Sequence, residues 1–316
     1  MKKRYSFGLQ ILFGGLILWV VMTQYNLTEV SYIQQIMNIK ITYWLCAFVF
    51  SIVTYLLVAL RFNYLLKYTN IHVGLSSLWW SQLWGGLVGI FQKGIGSLIV
   101  INSISKQTGV SKSEIANRYL VIYAVDLMCR GLGLGVGAIV ISQAFPETRN
   151  SGIIIGSLVV LCSIGYLVSV AGPKTIRELK QKIILRLPFK SLHNIFDDKH
   201  YNGGPKPILI VTFFSFLIWI TSALKWMLLS FAIGYPLSFL FCFVVINVAN
   251  MFKLIPIIPT SLGIYDLVVV FGFSIGALSP EAGLIFAMLD RITDLVLYST
   301  ALIKPQYLGL IKSEIK

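Results

Sequence analysis

The chain has 316 residues, of which 57% are hydrophobic and 12% charged, with a net charge of +14. Several apolar runs reach the ~18 or more residues that cross a ~30 Å hydrocarbon core, so a soluble globular enzyme is excluded and an all-α polytopic integral membrane protein is expected. The positive charge could signal nucleic acid, but its placement along the chain, taken below, argues for membrane orientation instead.

In chain order, MKKRYSFGLQILFGGLILWVV has the basic and apolar regions of a signal peptide, but no small-x-small cleavage site follows, which predicts a retained first helix. Full spans are predicted near residues 6–23, 41–60, 119–144, 152–171, 207–233 and 283–303. Two further apolar regions, near 75–108 and 237–278, are interrupted: the first by FQKGIGS, with Lys93, Gly94 and Gly96, and the second by KLIPIIPTSLG, with Lys253, Pro256, Pro259 and Gly263. Proline removes a backbone donor and glycine weakens a helix, so each region should split into two arms. The second arms, of about a dozen residues, would rise only ~18 Å and could not cross alone. Both regions therefore read as re-entrant hairpins. With the N-terminus in the cytoplasm, this arrangement leaves Lys2, Lys3, Arg4, Arg61, Lys67, Lys106, Lys112, Arg118, the linker from Lys174 to Lys206, Lys304, Lys312 and Lys316 inside, and only Lys40 and Arg149 outside. That is the positive-inside bias, and it removes the nucleic-acid reading.

The linker at 172–206 is basic and partly amphipathic, suited to an anionic leaflet surface and too short for a catalytic domain. His193 and His200 beside Asp197 and Asp198 read as solvated loop residues, so no metal and no cofactor is expected. Cys46, Cys129, Cys162 and Cys242 lie in apolar segments without CxxC spacing and read as buried, inert thiols. Trp79, Trp80 and Trp84 read as an interfacial belt, with a lipid-entry groove as the alternative.

The two broken regions resemble each other. Gly96 and Gly263 are each followed thirteen residues later by a glycine (Gly109 and Gly276), and Asp126 and Asp294 each lie fifteen residues beyond a serine (Ser111 and Ser279). Span, span, broken hairpin and span thus occur once in residues 1–146 and again in 147–316. Three crossings separate the hairpins, so the second copy is expected upside down, a recurrent transporter architecture.

Nine ionisable residues fall in or near the expected hydrocarbon: Lys93, Asp126, Arg130, Lys225, Lys253, Asp266, Asp290, Arg291 and Asp294. Each costs about 2.5–3.5 kcal/mol at a helix centre unless paired or wetted. Asp126 and Arg130, four apart with the acid first, are expected to pair on one helix face. Asp290 and Asp294 would repel, and Arg291 is expected to neutralise Asp294. Lys225 has no partner nearby in sequence and reads as structural. Asp266 and the Asp290, Arg291, Asp294 group accompany the second break and read as functional, because broken backbone also needs a polar cavity.

Residues 255–296, IPIIPTSLGIYDLVVVFGFSIGALSPEAGLIFAMLDRITDLV, resemble the second-half signature of the lysylphosphatidylglycerol synthase transmembrane family, the flippase-like domain that also forms the membrane half of the multiple peptide resistance factors. Pro256, Pro259, Gly263, Asp266, Gly276 and Arg291 stand at that family's motif positions. Thr260 and Ser261 replace its Gly-Gly pair, Tyr265 a frequent basic residue, and Asp266 the usual Glu. In the first half only Gly96 and Asp126 carry over. The resemblance implies a plasma-membrane lipid transporter or flippase with both termini cytoplasmic, moving a phospholipid, aminoacyl-phospholipid or polyprenyl glycolipid. The soluble aminoacyl-transfer domain has no counterpart in these residues, so no synthase activity and no catalytic residue is expected. No GxxxxGK[ST] loop is present either, so movement is expected to be passive or ion-coupled. The alternatives are an intramembrane enzyme of glycolipid or polysaccharide synthesis, or a membrane partner of cell-envelope biosynthetic enzymes, with homo-oligomerisation left open.

Overall fold

A computed structural model describes residues 38–89, 93–141, 150, 153–154, 156–161, 163–164, 167, 205–252, 264–275 and 279–304. The regular elements among them are all helical: α1 (Ile41–Tyr68), α2 (Leu75–Gly89), α3 (Lys93–Thr108), α4 (Lys112–Ile141), α5 (Pro205–Ala232), α6 (Phe239–Phe252), α7 (Ile264–Ile275) and α8 (Pro280–Ser299), with a closing 3-10 turn over Thr300–Ile303. Further helical residues lie between 153 and 167. Among the described residues, three helices are long and apolar enough to cross a membrane: Ile41–Tyr68, Lys112–Gly137 and Lys206–Ala232. The predicted span at 283–303 corresponds to the helix α8 followed by the 3-10 turn, and α8 carries Asp290, Arg291 and Asp294 within five positions. The predicted first span, the linker, and Lys253, Pro256, Pro259, Gly263 and Gly276 lie outside the described residues.

The first broken region is a helical hairpin. Ser81 Oγ lies 2.7 Å from Ser103 Oγ, Gln107 Nε2 donates to Ser103 Oγ at 3.0 Å, and the Ser77 hydroxyl donates to Gln107. As α2 runs forward, its partners on α3 run backward, so the two helices are antiparallel. At 15 and 16 residues they rise only ~22 and ~24 Å. Gly96 is where they touch backbone to backbone: a Cβ there would lie 2.2 Å from the Gly85 carbonyl oxygen. Gly94 and Gly96 were expected to form the break itself. They lie in the first turn of α3, and Gly96 serves close packing. Beyond the hairpin, Arg118 Nε donates to Thr69 Oγ1 at 2.6 Å, so the C-terminus of α1, both open ends of the hairpin and the start of α4 share one end of the bundle.

Described helices of the second half correspond in position and packing to helices of the first. Both ends of α5 lie 164 residues after the corresponding ends of α1 (Ile41 and Pro205, Tyr68 and Ala232). Each of these helices ends in a Schellman motif. Ile71 N–H reaches Leu66 O at 2.9 Å and Tyr235 N–H reaches Ser230 O at 3.0 Å, around a residue of positive φ, Asn70 (61°) and Gly234 (82°). Helix neighbours correspond too. α1 packs on α2 as α5 on α6, α2 on α3 as α6 on α7, α3 on α4 as α7 on α8, α4 on α6 as α8 on α2, α4 on α5 as α8 on α1, and α1 on α4 as α5 on α8.

The equivalent helices α1 and α5 make the most extensive packing of all, and they run antiparallel. Lys40 N–H bonds Ala232 O at 2.9 Å, Tyr43 and Phe231 rings meet at 5.7 Å, Thr54 Oγ1 donates to Thr221 Oγ1 at 2.9 Å, and Arg61 Nη1 reaches Ser215 Oγ at 2.6 Å. One apolar core gathers the C-terminal half of α1 with α3 and α4. Its counterpart gathers the C-terminal half of α5 with α6, α7 and α8, at the opposite end of the α1–α5 pair.

Candidate functional site

Two charged clusters are built from helices of both halves, the first from α1, α4 and α5 with the end of α6, and the second from α1, α5, α7 and α8. The first centres on Asp126 of α4. Arg61 of α1 grips its carboxylate with both terminal nitrogens, Nη2 to Oδ2 at 3.2 Å and Nη1 to Oδ1 closer, while the Ser215 hydroxyl of α5 donates to Oδ1 at 3.0 Å. Arg61 was expected in a cytoplasmic segment. It is only 5% exposed, because α1 continues to Tyr68 and carries the guanidinium into the bundle. The expected Asp126–Arg130 pair does not form as such. Arg130 lies within electrostatic reach of Asp126, but its hydrogen bond goes from Nη1 to the Asn250 carbonyl oxygen, at 3.1 Å, in the last turn of α6. Arg130 thereby satisfies one of the carbonyls that a helix end leaves without an intrahelical donor.

The second cluster is larger. Lys225 of α5 lies between two carboxylates of α8, 2.7 Å from Asp290 Oδ1 and 2.9 Å from Asp294 Oδ1. The Ser51 hydroxyl of α1 donates to Asp294 Oδ1 at 3.2 Å, and the Tyr265 hydroxyl of α7 donates to Asp290 Oδ2. Arg291 holds Asp266 in a two-point pair, Nε to Oδ1 at 2.8 Å and Nη2 to Oδ2 at 2.9 Å, and its guanidinium lies 5.4 Å from the centre of the Tyr265 ring. Two expectations are corrected here. Arg291 does not neutralise Asp294. One residue along a helix turns the side chain by ~100°, so Arg291 reaches Asp266 of α7 while Asp290 and Asp294, one turn apart, both reach Lys225 of α5. Lys225 has partners after all, distant in sequence and on another helix.

The clusters correspond in detail. Arg61 and Lys225 are 164 residues apart and so are Ser51 and Ser215, so each helix of the α1–α5 pair supplies a cation to its own cluster and a serine, ten residues earlier, to the other. Asp126 and Asp294, matched by spacing alone in the sequence, occupy the same place in the two clusters. Because α1 and α5 are antiparallel, the clusters lie on opposite sides of the Thr54–Thr221 contact, about 15 Å apart along the helix axis. Burial is near complete for Asp290 (3%), Asp266 (5%) and Lys225 (7%), whereas the side chains of Asp294 (23%), Arg291 (26%) and Asp126 (17%) reach a surface.

The model of the family described as the lysylphosphatidylglycerol synthase TM region matches residues 8–301, nearly the whole chain. The chain belongs to that family. No curated protein and no solved structure matches it. Membership makes this a membrane protein of lipid-related function, and it bears out the resemblance carried by the motif around Asp266 and Arg291.

Of the other expected site residues, Lys93 and Gly94 open α3, and Lys253 and the proline break fall outside the described residues. Trp84 is buried at 2% exposure, packed with Leu83, Ile99, Leu297 and Tyr298, and so is not part of an interfacial belt. Cys129 and Cys242 are buried thiols as expected, while Cys46 is exposed on α1, and Cys162 is outside the described residues. Sequence reasoning missed Arg61, Ser215, Ser51 and the role of Lys225. The equal spacing of Ser51 to Arg61 and Ser215 to Lys225 was the available signal.

Proposed function

We propose that the protein is a lipid transporter of the flippase type, in which two inverted halves pass a polar headgroup between leaflets while the acyl chains stay in the bilayer. The observation that carries this reading is the pair of corresponding charged clusters on opposite sides of the α1–α5 contact. Buried charges in apolar helices are expensive, and a purely structural role is better filled by apolar packing. Here eight charged side chains are held in apolar helices, and three of them reach a surface. Antiparallel packing of the equivalent helices, and the exchange of all helix neighbours between halves, support the inverted repeat.

The short antiparallel arms of the first hairpin support a re-entrant element that enters and leaves on one side, with six full crossings around two such hairpins. The basic loops then place both termini in the cytoplasm of a plasma-membrane protein. In this reading the clusters replace headgroup hydration during passage. The protein is not an enzyme, it needs no cofactor, and its partner is the lipid itself, with cell-envelope biosynthetic enzymes as the source of that lipid. Purified protein in liposomes, assayed for leaflet exchange of labelled phospholipids, tests the proposal: Asp266→Asn and Arg291→Ala should remain folded and abundant yet lose exchange. Reduced abundance with unchanged exchange per folded molecule would assign the pair to packing.

A further inference from the structure

Among the described residues the first cluster holds Arg61 and Arg130 against Asp126, one positive charge in excess. The acid that would balance Arg130 is missing among the described residues, and its hydrogen bond goes to a neutral backbone carbonyl. Moreover, Arg61 Nε and Arg130 Nε are both buried donors with no hydrogen-bond partner. A buried N–H left unsatisfied costs about 1–3 kcal/mol, more on a charged group, and an uncompensated charge in a low-dielectric interior costs more again. Two guanidiniums with spare donors around a single carboxylate, 17% exposed at its side chain, fit a tetrahedral oxyanion. Such an anion would satisfy the donors and neutralise the surplus charge.

We propose that Arg61 and Arg130, flanking Asp126, bind the phosphate group of an anionic lipid headgroup. This rests on the lipid-transport reading and narrows it: the first cluster takes the phosphate, and the transported lipid bears one. Arg130 is the specific element, since Arg61 already serves Asp126 with both terminal nitrogens.

The test is thermal unfolding of the full-length protein in uncharged detergent, titrated with short-chain phosphatidylglycerol, inorganic phosphate, or short-chain diacylglycerol as the uncharged control. Phosphatidylglycerol should raise the unfolding temperature saturably and diacylglycerol should not. Arg130→Gln should weaken the apparent affinity about ten- to a hundred-fold, Arg130→Lys should recover part of it, and Asp126→Asn should tighten it. Arg61→Gln alone strands Asp126 and threatens folding. The double variant Arg61→Gln with Asp126→Asn keeps the surplus charge on Arg130 but loses one guanidinium, so it should bind more weakly than Asp126→Asn and more tightly than Arg130→Gln.

Inorganic phosphate that saturates the same site and abolishes the lipid effect would support the phosphate site and assign it to the free anion. Equal affinity in wild type and Arg130→Gln would overturn the proposal, as would no stabilisation by either phosphate probe. Loss of exchange with binding intact would instead count against the transport reading alone.

Discussion

Lys225 is the residue on which most of the second cluster depends. Its ammonium separates Asp290 from Asp294, and the carboxylates would otherwise share one helix face a single turn apart. Lys225→Met should therefore destabilise the protein by about 3–5 kcal/mol, the usual result of stranding a buried charge, and the triple variant with Asp290→Asn and Asp294→Asn should recover most of that loss. Chemical unfolding in detergent measures both. Failure of the triple variant to recover stability would mean that the lysine acts through something other than these pairs. Tyr265→Phe removes one hydrogen bond to a carboxylate and should cost less, about 1.5–3 kcal/mol in the same assay.

Residue-scale chemistry was only partly legible beforehand. Asp126, Asp266, Asp290, Arg291 and Asp294 stood out in the sequence as charges inside apolar segments. Their pairing did not, because it is made between helices, and spacing along one helix ranks only intrahelical partners. Arg61 escaped notice because hydropathy ends a span at the first charge, while the helix itself runs on for seven more residues to Tyr68.

At the scale of elements, the α2–α3 hairpin depends on the absence of a side chain at Gly96. A Cβ there would meet the Gly85 carbonyl oxygen at 2.2 Å and the Gly89 Cα at 3.1 Å, neither of which belongs to a side chain that could rotate away. Gly96→Ala should push the arms apart and cost about 1–3 kcal/mol, read by chemical unfolding, whereas Ser97→Ala in the next position should cost less. The two helix stops differ in a way that can be measured. Asn70 holds a left-handed conformation that Gly234 adopts without strain, so Asn70→Gly should be neutral or stabilising and Gly234→Ala should destabilise by about 1 kcal/mol. The hairpin was anticipated from FQKGIGS, but Gly94 and Gly96 lie inside its second arm. Glycine near a break marks close backbone approach as readily as it marks the turn, and sequence alone does not separate the two.

For the whole molecule, the antiparallel α1–α5 pair sets the sidedness. Lys40 and Ala232 are bonded at one end and Arg61 and Ser215 at the other, so residues next to 40 and 234 share one side and those next to 70 and 206 share the opposite one. With cytoplasmic termini, a cysteine introduced at Asn70 should be labelled only from the cytoplasm and one at Gly234 only from outside, in intact cells with a membrane-impermeant thiol reagent. The correspondence of helices between the halves was expected from the matched glycines, serines and aspartates, whose order and spacing can be read along the chain. The neighbour exchange between halves was not, because it exists only in three dimensions.

Function turns on whether lipid moves. The direct measurement is quenching of a labelled phospholipid by a reductant added outside sealed liposomes. Wild-type protein should carry quenching beyond the outer-leaflet share, and Asp266→Asn and Arg291→Ala should stop at that share. A wild-type plateau equal to that of protein-free liposomes for every anionic, zwitterionic and glycosylated lipid tried would contradict the account.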